Sequence, residues 1–165
     1  MMKTVHDKSL TVSLPADEAY QHALTHGFAL TDCAIDETRL KRMLGDETAG
    51  AMVVFEGWVR NHNNKRAVKN LTYYGYEQLA LNQGAQLANE AKAKFGVTHA
   101  LAVHRVGALE IGDMAVWVGV CSAHRDAAFE ACRWLLDAIK EKIPVWKQEF
   151  YADDEGGSLW LSNNG

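Results

Sequence analysis

The chain has 165 residues, 48 % hydrophobic and 23 % charged, with a net charge of −4. That is enough apolar material for one globular domain with a core, with room for a small appendage. It excludes the overall basic field that draws a chain toward nucleic acid or membrane, so an anionic substrate must be held by a local cluster of cations.

Residues 1–26 read as a small N-terminal extension. "LTVSL" alternates like a short strand, and "PADEAYQHALTHG" has Pro15 at a helix start and Gly27 at its end. A mixed domain follows over 27–165. "FALTDCAI" reads as a strand, and "DETRLKRMLG" as a short helix with Asp36 as cap and Gly45 as stop. "GAMVVFEGWV" is a strong strand, "RNHNNKRAVKN" a polar loop, and "LTYYGYE" a β-prone stretch. "QLALNQGAQLANEAKAKFG" reads as a helix ending at Gly96. "THALAVHRVG" and "MAVWVGVCS" read as a hairpin joined by "ALEIGD". A long helix is expected over 123–142, with Phe129, Cys132, Leu136, Ile139 and Ile143 as its apolar stripe and Ser122 as its cap. Pro144 stops it, and "VWKQEFYA" and "SLWLS" close the chain as strands. Strands outnumber helices and no regular βαβ alternation appears. The expected class is α+β, a mostly antiparallel sheet with helices packed on it, of α/β-hammerhead type.

Three cysteines (Cys33, Cys121, Cys132) without a C-x-x-C spacing argue against a disulfide framework or a thiolate zinc site, and for a reducing compartment. No histidine pair has metal-site spacing, so no metal and no cofactor is expected. No apolar run has the length of a membrane span, and the N-terminus lacks a signal-type apolar core, so the protein reads as cytoplasmic.

Candidate chemistry collects in three places. On a helical wheel Lys140 falls about 20° past Phe129, at the border of the apolar stripe. A lysine there loses hydration and its amine is freed, or its stem packs and the ammonium snorkels out. Lys142 lies on the far border and Lys147 beyond the proline. "CSAHRD" puts His124 and Arg125 at a helix start, where free N–H groups and the dipole hold anions; the alternative is a surface pair with Asp126 or Glu130. Arg60 sits at a strand end, where its position is fixed, whereas Lys65 and Arg66 read as solvated. Cys121 lies near His124 and Arg125, but it alternates with Val118 and Val120 as a core residue would, and the position six residues on, where a phosphatase loop needs Arg, is Ala127.

The stretches "GAMVVFEGWVRNHN", "HRVGALEIGDMAVWVGVCSAHRDAAFEA" and "LLDAIKEKIPVWKQE" together resemble the large, catalytic subunit of molybdopterin synthase, the MoaE family, in order from about Phe28 to Leu161. The resemblance implies a homodimer of large subunits. Each would bind a small, ubiquitin-like sulfur carrier of MoaD type, whose thiocarboxylated Gly-Gly tail gives sulfur to cyclic pyranopterin monophosphate, making the dithiolene of molybdopterin. It also implies roles. Lys140 falls where the family has its essential lysine, and Lys147 where it has a second one. Arg60, His124 and Arg125 would hold the substrate phosphate, and Phe55 matches an aromatic position near the site. Lys142 has no matching role. Two departures stand out. The family's helix has Met four residues before the key lysine, here Leu136, and its C-terminal arginine, which reaches a neighbouring subunit, has Asn163 and Asn164 near its place. Two other readings remain: a carrier-binding scaffold that has lost catalysis, and a thiol sulfurtransferase working through Cys121.

Overall fold

Two apolar runs, "HALAVHR" and "MAVWVGVCS", build the centre of the molecule. In this computed structural model, which describes residues 14–153 and 156–163, they are β5 (His99–Arg105) and β7 (Met114–Ser122), paired antiparallel. β1 (Phe28–Thr31) adds in parallel to β5, and β2 (Ala51–Trp58) adds antiparallel to β7, giving the order β1-β5-β7-β2. Side chains alternate between the faces of a strand. Ala100, Ala102, Val116, Val118 and Val120 enter one core, and Leu101, Val103, Trp117 and Cys121 enter a second. Both faces are covered, which explains why these strands are buried without interruption.

The first face is covered by α3 (Glu77–Phe95) and α4 (Arg125–Lys142), the second by α1 (Ala16–His26) and α2 (Glu37–Met43). Asp36 caps α2 by accepting from the Arg39 N–H, as its sequence suggested. Gly27 ends α1 at φ 97°, a left-handed cap, and any Cβ there would lie 2.3 Å from that of Ala88. Ala19, Tyr20 and Ala23 of α1 pack in the second core, so residues 16–26 share the domain's interior. Of the expected "LTVSL" strand, only Leu14 lies within the described residues; it bridges in parallel to Thr31.

Several expectations change in three dimensions. "FALTDCAI" contributes only four strand residues. β5 and β7 do pair, but their connection is no simple turn. β6 (Gly107–Glu110) leaves the first sheet and pairs with β4 (Arg66–Gly75). The polar "RNHNNKRAVKN" is not all loop. β3 (His62–Asn63) and the start of β4 form a hairpin whose two turn residues, Asn64 and Lys65, have φ of 48° and 64°. Two consecutive left-handed residues match the twist of the flanking strands, which is why a polar turn can close a ladder. β4 also pairs β8 (Val145–Tyr151), which pairs β9 (Ser158–Ser162), completing a second, antiparallel sheet. The class is α+β, with the antiparallel pairing spread over two sheets.

α4 differs most from its wheel. Its buried residues are Ala128, Ala131, Cys132, Leu135, Ala138 and Ile139, while Phe129 is 62 % exposed. Alanines, neutral in the sequence pattern, form the contact face because small side chains let the helix lie close to the sheet. Ser122 is not the cap: it ends β7 and is buried, and His124 stands at the cap position without a side-chain capping bond.

Candidate active site

A cavity of about 270 Å³ opens where the two sheets meet the C-terminal end of α4. β2 and the residues after it supply Phe55 to Arg60, and β4 supplies Leu71 and Tyr73. β5 supplies His104, α4 supplies Leu136, Ile139 and Lys140, β8 supplies Lys147 and Glu149, and the segment after β9 supplies Asn163. Successive strand residues ordinarily point to opposite faces, so Phe55 to Trp58 of β2 and the two residues after it would not all be expected to reach one cavity. Here the register slips between Gly57 and Trp58, a bulge that re-aims the chain. Gly57 allows it, because a Cβ there would sit 2.7 Å from Val116 Cγ1.

The lysines are placed by different elements. Lys140 is half-buried in the last turn of α4. Burial lowers its pKa, and the charges of Lys147 and Arg60 lower it further against the opposing pull of Asp137. Its amine is therefore free at lower pH than an ordinary lysine's. Lys147 sits on the inward face of β8, its side chain 13 % exposed, with Nζ 3.1 Å from Glu149 Oε1. Glu149, 4 % exposed, also accepts from Asn63 Nδ2 at 3.0 and 3.2 Å and from the Tyr151 hydroxyl at 3.0 Å. Burial pushes the Glu149 carboxyl up, but those donors and the Lys147 charge outweigh it and hold it below its ordinary value. With Lys147 neutralised by Glu149, Lys140 and Arg60 give the cavity its free positive charge. Arg60 donates to the neutral Asn63 Oδ1 at 3.2 Å.

His104 lies beneath, 1 % exposed, edge-on to Tyr73 with ring centroids 4.8 Å apart. Burial is the main reason its pKa falls to about 4, with Lys140 adding to the effect. Tyr73 is pushed up to about 12 by burial and by Glu149. The imidazole is thus neutral at physiological pH and the phenol keeps its proton.

Of the residues singled out in the sequence, Lys140, Lys147, Arg60 and Phe55 meet in this cavity. His124 and Arg125 do not. Both are exposed at the other end of α4, Arg125 by 84 % and beside Asp126. Fifteen residues of helix put Arg125 about 22 Å from Lys140 along the axis. Lys142 is exposed, as expected of a solvated charge. Cys121 is buried with its thiol 3.5 Å from the Leu44 carbonyl, and burial raises its pKa. Cys132 is raised to about 11 the same way. Neither thiol favours the thiolate a nucleophile needs. Among the described residues, no group of three or more His, Cys, Asp or Glu is placed to hold a metal, and no helix is long and apolar enough to cross a membrane.

Glu149, His104 and Tyr73 were not singled out from sequence. Only one carried a legible signal: Lys147, Glu149 and Tyr151 alternate along β8 and so share a face.

The model of the MoaE protein family matches residues 30–142, well over half of the chain and including Lys140. The chain belongs to the MoaE family. A curated relative from Pyrococcus abyssi, named molybdopterin synthase catalytic subunit, is 38 % identical over 122 residues, 74 % of this chain and 80 % of the relative. The crystal structure of molybdopterin synthase from Staphylococcus aureus is 34 % identical, with a TM-score of 0.75 over 80 % of this chain and 94 % of that one. A further MoaE-like fold is found in the protein–protein complex of subunits 1 and 2 of the molybdopterin-converting factor from Helicobacter pylori. It is 23 % identical with a TM-score of 0.66, covers 81 % of this chain and 88 % of that one, and at that identity shows the fold alone.

Proposed function

We propose that this chain is the catalytic subunit of a cytoplasmic molybdopterin synthase. It takes sulfur from the thiocarboxylated C-terminus of a small ubiquitin-like carrier and delivers it to cyclic pyranopterin monophosphate. The supporting observation is the cavity itself. A half-desolvated lysine whose amine is unusually acidic stands beside a second lysine held rigidly by a buried carboxylate, in a MoaE chain.

Lys140 is the group that moves a proton or activates the acyl-sulfur, because burial and the neighbouring cations lower its pKa and so favour the neutral amine. Lys147 faces the negative thiocarboxylate and cannot swing away, since Glu149 fixes it. A Gly-Gly tail suits the narrow cleft because it brings no side chains. Phe55 gives an apolar wall, and Arg60 provides a fork for the substrate phosphate and for the anion released when the cyclic phosphate opens. His124 and Arg125 are too far from Lys140 on their own helix. We assign them to the phosphate bound in the cavity of a second copy, which makes the homodimer part of the site.

The test is reconstitution. Purified chain, thiocarboxylated carrier and cyclic precursor are mixed and product is read by fluorescence after oxidation, wild type beside Lys140→Ala. Product from wild type alone supports the reading. Carrier capture without product from either protein overturns it in favour of a scaffold.

A further inference from the structure

The His104–Asn163 contact at the base of the cavity is not used by the reading above. His104 Nδ1 lies 2.8 Å from the Arg105 carbonyl oxygen. A carbonyl oxygen only accepts, so Nδ1 carries the hydrogen. The neutral ring then has one lone pair, on Nε2. Facing it at 3.4 Å, long for such a bond, is Asn163 Nδ2. A lone pair can only accept, so the amide nitrogen of Asn163 must be the atom turned toward it, and the orientation of that carboxamide is fixed by the network. Asn163 is 8 % exposed and follows directly on β9, whose Leu161 pairs with Lys147. The C-terminal segment is therefore tied to the floor of the cavity through one side chain, on the strand next to the one that carries Lys147.

We propose that Asn163 is a positioning residue of the sulfur-transfer site, which occupies the free lone pair of His104 and so keeps that imidazole from binding the Lys140 side chain. The proposal rests on the function given above. An unoccupied imidazole nitrogen in a cavity shared with an ammonium is an acceptor for it. Such a bond would hold Lys140 in its charged form and turn its amine from the reacting centre. Asn163 fills the acceptor with a neutral donor instead. Asp137 on its own helix, Arg60 just after β2, Lys147 on β8 and His104 on β5 interact electrostatically with Lys140, and Glu56 on β2, Tyr73 on β4 and Glu149 on β8 line the same cavity. Of these, His104 is the group in contact with Asn163, so replacing Asn163 reaches Lys140 through His104.

The experiment has two arms. The first needs no turnover: nitrogen-15 spectra of His104 in the full chain, wild type, Asn163→Ala and Asn163→Asp. Wild type is expected to show the Nδ1–H tautomer with Nε2 as acceptor. The Asp variant, equal in size but unable to donate when ionised, is expected to give a doubly protonated His104. A wild-type Nε2–H tautomer, or His104 spectra identical in all three proteins, overturns the proposal. The second arm is the pH profile of kcat with carrier and precursor. In Asn163→Ala the acid limb is expected to move to higher pH, with kcat at neutral pH down about 10-fold or more, as when other orienting groups are lost. An unmoved limb in a folded variant overturns it. If wild type makes no product, the functional reading fails while the spectra still decide the contact.

Discussion

The two ends of α4 carry similar residues and have opposite environments. At the N-terminal end, His124 and Arg125 stand in solvent, with Asp126 as the nearby counter-charge. At the C-terminal end, Lys140 is half-buried between an apolar wall and two further cations, and its pKa falls. A basic residue becomes reactive when its water is removed and like charge surrounds it. Where it stays hydrated, it remains an ordinary cation that can serve only another surface. In the function proposed above, one helix bears a chemical end and an electrostatic end, and the homodimer would bring the second to the first.

The comparison is broken most severely by Lys140→Ala. Losing the proton-transferring group should lower kcat by about 10²–10⁴-fold, with carrier capture retained in a pull-down. A folded Lys140→Ala protein of full activity rules out the role given to Lys140. Next is Glu149→Ala, which leaves Lys147 buried without its partner. Breaking a buried pair in this way should cost about 3 kcal/mol and lower Tm by about 6–12 °C, read by calorimetry. The exposed Arg125→Ala, measured alongside, should change stability by no more than about 0.5 kcal/mol.

A third test uses pH. The folded pKa of His104, about 4, lies below its ordinary 6.5. The folded state therefore binds fewer protons than the unfolded state between those values. Stability rises with pH through that window and is lost as pH falls through it, by about 3 kcal/mol in all. Denaturant titrations of wild type should show that slope and His104→Gln should flatten it. Glu149 adds a separate loss only below its ordinary 4.5, because its folded pKa is lowered. The smallest signal comes from mixing inactive Lys140→Ala with inactive Arg125→Ala protein. If each cavity takes Arg125 from the other copy, exchanged dimers hold one intact site, and about a quarter of wild-type activity returns. No recovery after verified subunit exchange removes His124 and Arg125 from the site.

Much of the fold was legible because strands and helices differ in period. β2, β5, β7 and α3 stand close to where their apolar runs ended, and Asp36, Gly27 and Gly96 punctuate helices as such residues do. Of the apolar stripe expected on α4, Cys132, Ile139 and Ile143 are buried and Leu136 packs on the core, but Phe129 is exposed and the alanines were missed, since pattern weighs a large side chain above alanine while close packing against a sheet selects the small one. The β3–β4 hairpin was misread as loop because Asn64 and Lys65 reach left-handed geometry without glycine.

For the site, sequence by itself pointed to Lys140, Lys147 and Arg60, carried the family's motifs, and held in β8 the alternation that puts Lys147, Glu149 and Tyr151 on one face. Only the tertiary structure decided which of them share a cavity. It joined Lys140 to Glu149, His104 and Asn163 across two sheets and a helix end, and it separated Lys140 from Arg125 on the same helix. The physical reason is that a side chain's pKa and reach depend on what covers it. Much of that cover comes from segments far away in the chain, such as Asn63 on Glu149, 86 positions apart, and Asn163 on His104, 59 apart.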